Sequence, residues 1–185
     1  MFFADCEYLH GHLERYESQW RWIWKKSMGG STLMQGGIHA VDAMRQFMKA
    51  DAVEVTAYSH GHTTKYEYDP TIIGIVKFAD GAIAKLTSSF ETAMPYQLNL
   101  RLYGTKGTIQ NDRLWSEALS PAQNDWAVFL AVGADSGDPS HHPFKPMVDH
   151  IVDAIINDKP THPNINDALK SHELAYAADI SAFSL

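Results

Sequence analysis

Residues 72 to 90 constrain the fold more than any other part of the sequence. IIGIVKF and AIAKLTSSF are two runs rich in β-branched and apolar residues, and Asp80-Gly81 stands between them. Asp-Gly between two such runs is the strongest short hairpin signal, because glycine readily adopts the positive φ that a tight turn requires. The segment therefore predicts two antiparallel strands, so the chain must build at least part of a sheet.

Further strands and helices are predicted on both sides of this hairpin. Alternation of apolar and polar residues predicts strands over 2–10, 52–60 and QLNLRLY, with shorter strands in GTIQ and RLWSEAL. Apolar spacing of three and four predicts helices over about 33–49, after Pro146, and after Asn166, which we expect to cap the last helix. This order predicts an α+β fold, an antiparallel-rich open sheet with helices packed on one face.

Composition excludes several classes of protein. A chain of 185 residues without a linker is expected to be one domain over 1–185, and its net charge of -7 argues against nucleic-acid binding. The single cysteine, Cys6, excludes an internal disulfide framework and is expected to be a buried small residue in a reducing compartment. Asp5 and Glu7 interrupt any secretory signal, and no run of residues is apolar enough to cross a membrane, so we expect a cytoplasmic protein.

One segment, GGSTLMQGGIHAVD, carries the residues best suited to chemistry. On a helix, Gln35, His39 and Asp42 would share one face, so that Asp42 could orient the imidazole of His39. Imidazole titrates near neutral pH, which makes His39 a candidate general acid or base. The alternative from spacing alone is that His39 is a hydrogen-bonded core histidine and Asp42 an exposed or capping carboxylate.

The same segment resembles the signature of the C-terminal domain of the Gfo/Idh/MocA oxidoreductases, in which a Gly-Gly run leads to a helix carrying Gly-x-His-x-x-Asp. Further resemblance follows in chain order: ADCEYLHG, SQWRW, IIGIVKFADGAIAKLTSSFE, LRLYGTKGTI and PMVDHIVDAIINDKPTHPNINDALKSHELAYAADISA. It implies a C-terminal domain like that of glyceraldehyde-3-phosphate dehydrogenase, which binds substrate and forms oligomers in an NAD(P)-dependent sugar or polyol oxidoreductase.

The resemblance also implies roles for particular residues. His39 matches the histidine that helps to move the hydroxyl proton during hydride transfer, and Asp42 matches an aspartate that is structural or orients it. Gln35 occupies a position where relatives commonly have Asp. An amide can bind a hydroxyl group but cannot act as a base, so Gln35 is expected to be a substrate ligand. We expect Tyr8, His10 and Trp22 to line the same pocket.

The sequence lacks the family's nucleotide-binding signals. It contains no Gly-x-Gly-x-x-Gly and no Glu-Lys-Pro, and Gly104-Thr-Lys-Gly107 is expected to be a sheet turn rather than a phosphate loop. We therefore expect no cofactor-binding residues in this chain, which would be a truncated, split or stand-alone domain that is not catalytically competent alone. NAD or NADP would be bound by a Rossmann domain, which could lie on a separate chain.

Two other functions remain open from sequence. The chain could be a non-catalytic association module, since family domains often form dimers or tetramers through the open sheet face. Alternatively, His10 with His12, or His60 with His62, could hold a metal, although surface or structural histidines are expected, as for His141-His142. Trp20, Trp22 and Trp24 could stack on sugar rings or fill a core or subunit interface.

Overall fold

A single eight-stranded sheet forms the centre of the molecule. The computed structural model describes residues 1–11, 21–119, 121–129 and 144–183. The strands are β1 (Phe3–Leu9), β2 (Ala52–His60), β3 (Thr71–Phe78), β4 (Ile83–Ser89), β5 (Gln97–Tyr103), β6 (Gly107–Gln110), β7 (Arg113–Ser116) and β8 (Ala127–Val128). Their order across the sheet is β2-β3-β4-β1-β5-β6-β7-β8. The short β8 was not predicted from sequence.

The predicted hairpin is confirmed as β3 and β4. Lys77 pairs with Ile83, and Gly81 adopts a φ of 87° in the turn between the strands. Strand β1 lies between β4 and β5, parallel to the first and antiparallel to the second. The pair β1–β4 is the one parallel pair among the described strands, and its two strands therefore end at the same edge of the sheet.

The regular helices Ile38–Met48 and Ile165–Phe183 pack against one face of this sheet. The helices of the described residues are a one-turn helix α1 (Lys26–Gly29), α2 (Ile38–Met48), α3 (Phe144–Ile156) and α4 (Ile165–Phe183), and a 3₁₀ turn over Arg21–Trp24 precedes α1. Helix α2 packs against β1, β4 and β5, and α4 packs against β2 and α2. Between them lies the core, which includes Cys6, Leu33, Val41, Met44 and Leu86. The expected α+β fold, with an antiparallel-rich open sheet and helices on one face, is confirmed.

The helix predicted over about 33–49 begins five residues later than expected. Residues 32–37 form consecutive turns, and the regular helix runs from Ile38 to Met48. Gly36 and Gly37 lie in the turns, where both approach the sheet closely. Gln35 therefore precedes the helix on which the spacing placed it.

The last helix is capped by Asn164, and the prediction that Asn166 caps it is wrong. Asn166 lies inside α4, and Asn164 is the capping residue: its Oδ1 accepts hydrogen bonds from the backbone amides of Asn166 at 2.9 Å and Asp167 at 3.3 Å. The carboxylate of Asp167 in turn accepts from the Asn164 amide at 3.1 Å. This reciprocal arrangement satisfies amides at the helix start that have no partner within the helix.

The open face of the sheet carries an array of charges flanked by apolar side chains. Lys85 and Arg101 each lie within 3.2 Å of both Asp5 and Glu7. Burial alone would raise the pKa of Glu7, but hydrogen bonds from Lys85 and Asn99, with the charges of Lys85 and Arg101, hold it below its ordinary value. Ile73, Ile75 and Tyr58 lie on the same face and are about half exposed or more.

Within the described residues, every helix is too short or too polar for a membrane crossing.

The capping contacts predict different effects for two neighbouring asparagines. Asn164→Ala should lower the free energy of unfolding by about 1 kcal/mol, because two backbone amides lose their acceptor. Asn166→Ala removes an amide side chain one residue inside the helix and should change stability by less than half as much. Urea denaturation measures both, and equal losses would contradict the assignment of the cap.

Candidate functional site

A cavity of about 390 Å³ opens at the edge of the sheet where the parallel strands β1 and β4 end. It brings together five of the six residues predicted for the site; only Asp42 is not among its lining residues. The full lining is Tyr8, His10, Trp22, Ile23, Met28, Gly29, Met34, Gln35, Gly36, His39 and Phe90. Below, this cavity is called the pocket, and residues 29–37 are called the glycine turn.

The glycine turn reaches the pocket because it packs against β1 and β4 without side chains in between. A Cβ added to Gly36 would lie 2.4 Å from the ring of Tyr8, and one added to Gly37 would lie 2.5 Å from Ser88 Oγ. The hydroxyls of Thr32 and Ser88, both buried, are 2.6 Å apart in a hydrogen bond. Only glycine allows this approach, so the GG pair has a packing role that spacing alone did not reveal.

Aromatic rings form the wall of the pocket beside β1. The ring centroid of Tyr8 lies 6.1 Å from that of His39 and 5.0 Å from that of Tyr96, which also lies 5.5 Å from His10. Burial raises the pKa of the Tyr8 hydroxyl and lowers the pKa of His10. Both shifts favour the neutral form of the side chain.

Gln35 places a polar group into this wall. Its Nε2 donates to the Tyr68 hydroxyl at 3.0 Å and to the carbonyl oxygen of Ile23 at 3.3 Å. Its Oε1 is buried and has no hydrogen-bond partner among the described residues. The absence of a side chain at Gly29 makes room for the amide, because a Cβ there would lie 2.1 Å from Nε2. One acceptor in the wall of the pocket is thus buried without a partner among the described residues.

His39 and Asp42 lie one turn apart on α2 but contact different parts of the molecule. His39 is exposed at the rim of the pocket, within reach of a bound ligand. The carboxylate of Asp42 accepts a hydrogen bond from Ser171 of α4 at 2.7 Å and lies 3.6 Å from Arg45. These contacts tie α2 to α4, which supports the structural alternative for Asp42; its role in orienting His39 stays a prediction.

The other residues singled out from sequence have separate places. Trp22 is 46% exposed at the rim of the pocket, whereas Trp24 packs against Tyr66. His12, Trp20, His141 and His142 lie outside the described residues. Strand β2 ends at His60, so the geometry expected for a His60–His62 pair within a strand is not present. Among the described residues, His, Cys, Asp and Glu form no group of three suited to a metal ion.

Cys6 is buried, as expected, and burial raises its pKa to about 12, with Asp5 and Glu7 contributing.

Sequence reasoning missed Phe90, which lines the pocket, and Tyr68 and Tyr96, which contact residues that line it. Phe90 follows β4, and Tyr68 and Tyr96 belong to segments just before β3 and β5. No local pattern marks them, because they reach the pocket through strand pairing. The one available signal was the density of tyrosines in KYEYDP, beside the start of β3.

The contact between Gly36 and Tyr8 predicts that this glycine cannot be replaced. Gly36→Ala should destabilise the protein by about 1–3 kcal/mol, because the new methyl group overlaps a ring already packed between His39, Phe90 and Tyr96. Gly104→Ala is the control, since its Cβ would meet only the carbonyl oxygen of Gly107 at 3.1 Å. Thermal unfolding distinguishes them, and an unchanged melting temperature for G36A would contradict this packing.

Solved structures share this fold. An oxidoreductase domain protein from Kribbella flavida has a TM-score of 0.80 at 18% identity, over 99% of this chain and 56% of that one. Levoglucosan dehydrogenase, solved with NADH, gives 0.80 at 16% identity, over 99% and 56%. The WlbA dehydrogenase from Bordetella pertussis, solved with NADH and UDP-GlcNAcA, gives 0.74 at 17% identity, over 99% and 52%. The chain therefore spans little more than half the length of these proteins.

The sequence itself carries the family assignment. The family model described as the GFO/IDH/MocA C-terminal domain matches residues 2–110, which include β1, the glycine turn, α2 and the strands as far as β6. The matched range contains every residue that lines the pocket. The chain belongs to the GFO/IDH/MocA C-terminal domain family of oxidoreductases.

Proposed function

We propose that this chain is the substrate-side half of an NAD(P)-dependent oxidoreductase that acts on a CH–OH group of a carbohydrate or polyol. The observation that carries the proposal is the convergence of Gln35, His39, Tyr8, His10 and Trp22 on one pocket. Family membership supports the reaction class, and the sugar-related names of structural neighbours support the substrate class.

Each pocket residue has a role that fits a sugar hydroxyl. Gln35, which lines the pocket, would bind one hydroxyl group of the substrate through its amide. His39 would accept the proton of the reacting hydroxyl as the alcohol is oxidised, and would return it in the opposite direction. Tyr8, His10 and the exposed ring of Trp22 offer flat surfaces for the apolar faces of a sugar ring.

The nicotinamide cofactor does not fit the described residues of this chain. A pyrophosphate site needs a glycine-rich turn that opens a helix. Gly104 and Gly107 instead close the turn between β5 and β6, with the Gly104 amide donating to the Gly107 carbonyl oxygen at 2.9 Å. We therefore assign the hydride acceptor to a separate nucleotide-binding domain, on the same or another chain, and assign this domain no independent catalytic activity.

Exposed apolar side chains on α3 support a missing partner domain. Phe144, Met147, Val148, Ile151, Val152, Ile155 and Ile156 are 43–75% exposed on this one helix. A contiguous apolar surface of this kind usually marks an interface. We propose that the nucleotide-binding domain covers it.

Methionine methyl groups allow the substrate half to be tested without the cofactor half. Met28 and Met34 line the pocket, whereas Met44 and Met48 lie on the buried face of α2 and Met147 lies on α3. With the methionines labelled at the ¹³C methyl carbon, the protein is titrated with levoglucosan, D-glucose and UDP-N-acetylglucosamine. At least one of these ligands should shift the signals of Met28 and Met34 and leave those of Met44, Met48 and Met147 unchanged.

NADH serves as the control ligand in the same experiment. It should leave all seven methionine methyl signals unchanged and should not raise the melting temperature. The substrate proposal would be wrong if no carbohydrate perturbed Met28 and Met34. Tight binding of NADH would overturn the separate claim that the nucleotide site lies elsewhere.

The open sheet face favours a second property, association of two or more copies of the chain. Asp5, Glu7, Lys85 and Arg101 form a balanced set of two negative and two positive charges, with side chains only 12–34% exposed, and Ile73 and Ile75 lie beside them. Charges that already neutralise one another can be covered by another sheet at a lower desolvation cost than unpaired ones. We propose that copies of the chain associate through this face as a dimer or tetramer. If association were the only function of the chain, the chain would be a non-catalytic association module.

Sedimentation velocity tests this association. Ile73→Glu should shift the protein toward monomer, because it places a third negative charge beside the array in a surface that must be desolvated. Ile155→Glu, an exposed isoleucine on α3, should leave the distribution unchanged. A wild-type monomer at high concentration would contradict the proposal.

A further inference from the structure

A buried carboxylate on α4 holds the glycine turn from outside the pocket. Asp179 is 7% exposed, and its Oδ2 accepts a hydrogen bond from the hydroxyl of Ser31 at 2.5 Å. The two residues are 148 positions apart in the sequence, so this contact joins the last helix to the start of the turn. Helix α4 contributes no residue to the lining of the pocket. Any effect of Asp179 on a ligand must therefore pass through the turn.

Ser31 carries this contact to the residues that line the pocket. Its Oγ accepts a hydrogen bond from the backbone amide of Met34 at 3.2 Å, as the side chain of a capping serine does at the start of a helix. An ionised carboxylate can only accept, so the single hydroxyl proton of Ser31 goes to Asp179. Met34 lines the pocket, and so do the two residues that follow it, Gln35 and Gly36. Asp179 thus fixes the rotamer of the hydroxyl that caps this stretch.

The glycine turn is held at two consecutive residues by two different elements. Ser31 is bound by α4, and the hydroxyl of its neighbour Thr32 is bound by Ser88 of β4 at 2.6 Å. The contact of Thr32 joins two neutral hydroxyls, whereas the contact of Ser31 involves a group that can ionise. Of these two anchors, only the one on α4 can be altered by a change of charge.

Asp179 has little compensation for a buried acid. Its Oδ1 is buried and has no hydrogen-bond partner among the described residues, so Ser31 donates the only hydrogen bond that the structure shows to this carboxylate. Burial raises the pKa of Asp179, and the Ser31 hydrogen bond and the charge of Lys26 on α1 offset part of this effect. The stability that Asp179 contributes is therefore present at low pH and is lost as the pH rises through its raised pKa.

Lys26 is the charged group, among the described residues, that acts on the pKa of Asp179. The other ionisable residues of the elements packed against α4 have different surroundings: His39 at the pocket rim, Asp42 and Arg45 beside Ser171, Glu54 beside a separate cavity, and Tyr58, His60 and Lys77 on exposed parts of β2 and β3. Titration of Asp179 can therefore be followed as a separate event.

We propose that Asp179 is a positioning residue of the pocket, which holds the glycine turn in its binding conformation through Ser31. Helix α4 thereby controls the affinity of the pocket without contacting the ligand. The effect on carbohydrate affinity rests on the proposed function, whereas the coupling of Asp179 to the turn does not. The experiment therefore has one part without ligand and one with it, and the melting temperature of each variant checks its folding.

The first part follows the turn without ligand. With the methionines labelled at the backbone ¹⁵N, the Met34 amide signal is recorded across the acidic and neutral pH range. The wild type should show a titration step with a midpoint above the ordinary pKa of an aspartate. Asp179→Asn, which cannot ionise, and Ser31→Ala, which breaks the connection, should both abolish this step, and Met48 at the other end of α2 should not show it. The absence of the step in the wild type, or its persistence in both variants, would overturn the proposal.

The second part measures the binding of levoglucosan, D-glucose and UDP-N-acetylglucosamine through the Met28 and Met34 methyl signals. Asp179→Ala should weaken binding roughly tenfold or more, because a ligand must then order a turn that has lost one of its two anchors. Asp179→Asn keeps an oxygen that can accept from Ser31, so its affinity should stay within about threefold of the wild type. Glu173→Ala, which removes an exposed carboxylate from the same helix, should leave the affinity unchanged.

A double-mutant cycle decides whether the effect passes through Ser31. Ser31→Ala should weaken binding about as much as Asp179→Ala, and the variant with both changes should bind no more than about twofold more weakly than either, because both remove the same hydrogen bond. If D179A does not fold, S31A alone carries the binding test. Additive losses, or wild-type affinity in S31A, would overturn the positioning role. A Met34 titration step without any carbohydrate binding would instead refute the carbohydrate assignment and leave the coupling of Asp179 to the turn intact.

Discussion

Everything in the pocket depends on the close packing of the glycine turn against the ends of β1 and β4. Gly36 lies on the Tyr8 ring and Gly37 on Ser88, and the buried hydrogen bond between Thr32 and Ser88 holds the two segments together. Because β1 and β4 are parallel, they end side by side and provide one edge for the turn to cover. The turn then delivers Gln35 and the first residues of α2 to the same place.

The fold divides its polar groups between two separate tasks. On the helix-covered face the core is mainly apolar, and hydrogen bonds among Gln35, Tyr68 and Ile23 lie beside the strand ends. On the opposite face, Asp5, Glu7, Lys85 and Arg101 neutralise one another in the middle of the sheet. The pocket and the charged array on the open face therefore share no residues.

Much of this arrangement could be predicted from sequence, and the exceptions have a common cause. The hairpin at Asp80-Gly81 and the strand alternation depend on local preferences, which the sequence displays directly. His39, Gln35, Tyr8, His10 and Trp22 could be named because the resemblance covers their segments. The start of α2 could not be predicted from sequence, since Gly36 and Gly37 are held in a turn by strands that are distant in the chain. Tyr68 and Phe90 reach the site through strand pairing, which no local pattern shows. Asn164 and Asn166 are the same residue type, and only the structure shows that Asn164 accepts the hydrogen bonds from the helix amides.

Our central proposal is that the pocket beneath the glycine turn receives the substrate of an oxidoreductase. A crystal structure of the protein with its nucleotide-binding domain, NADH and a bound carbohydrate tests it most directly. We expect density for the sugar between His39 and Gln35, with one hydroxyl oxygen about 2.8 Å from the Gln35 amide group and the nicotinamide entering from outside this domain. A sugar bound elsewhere, with the pocket filled only by water, would contradict it.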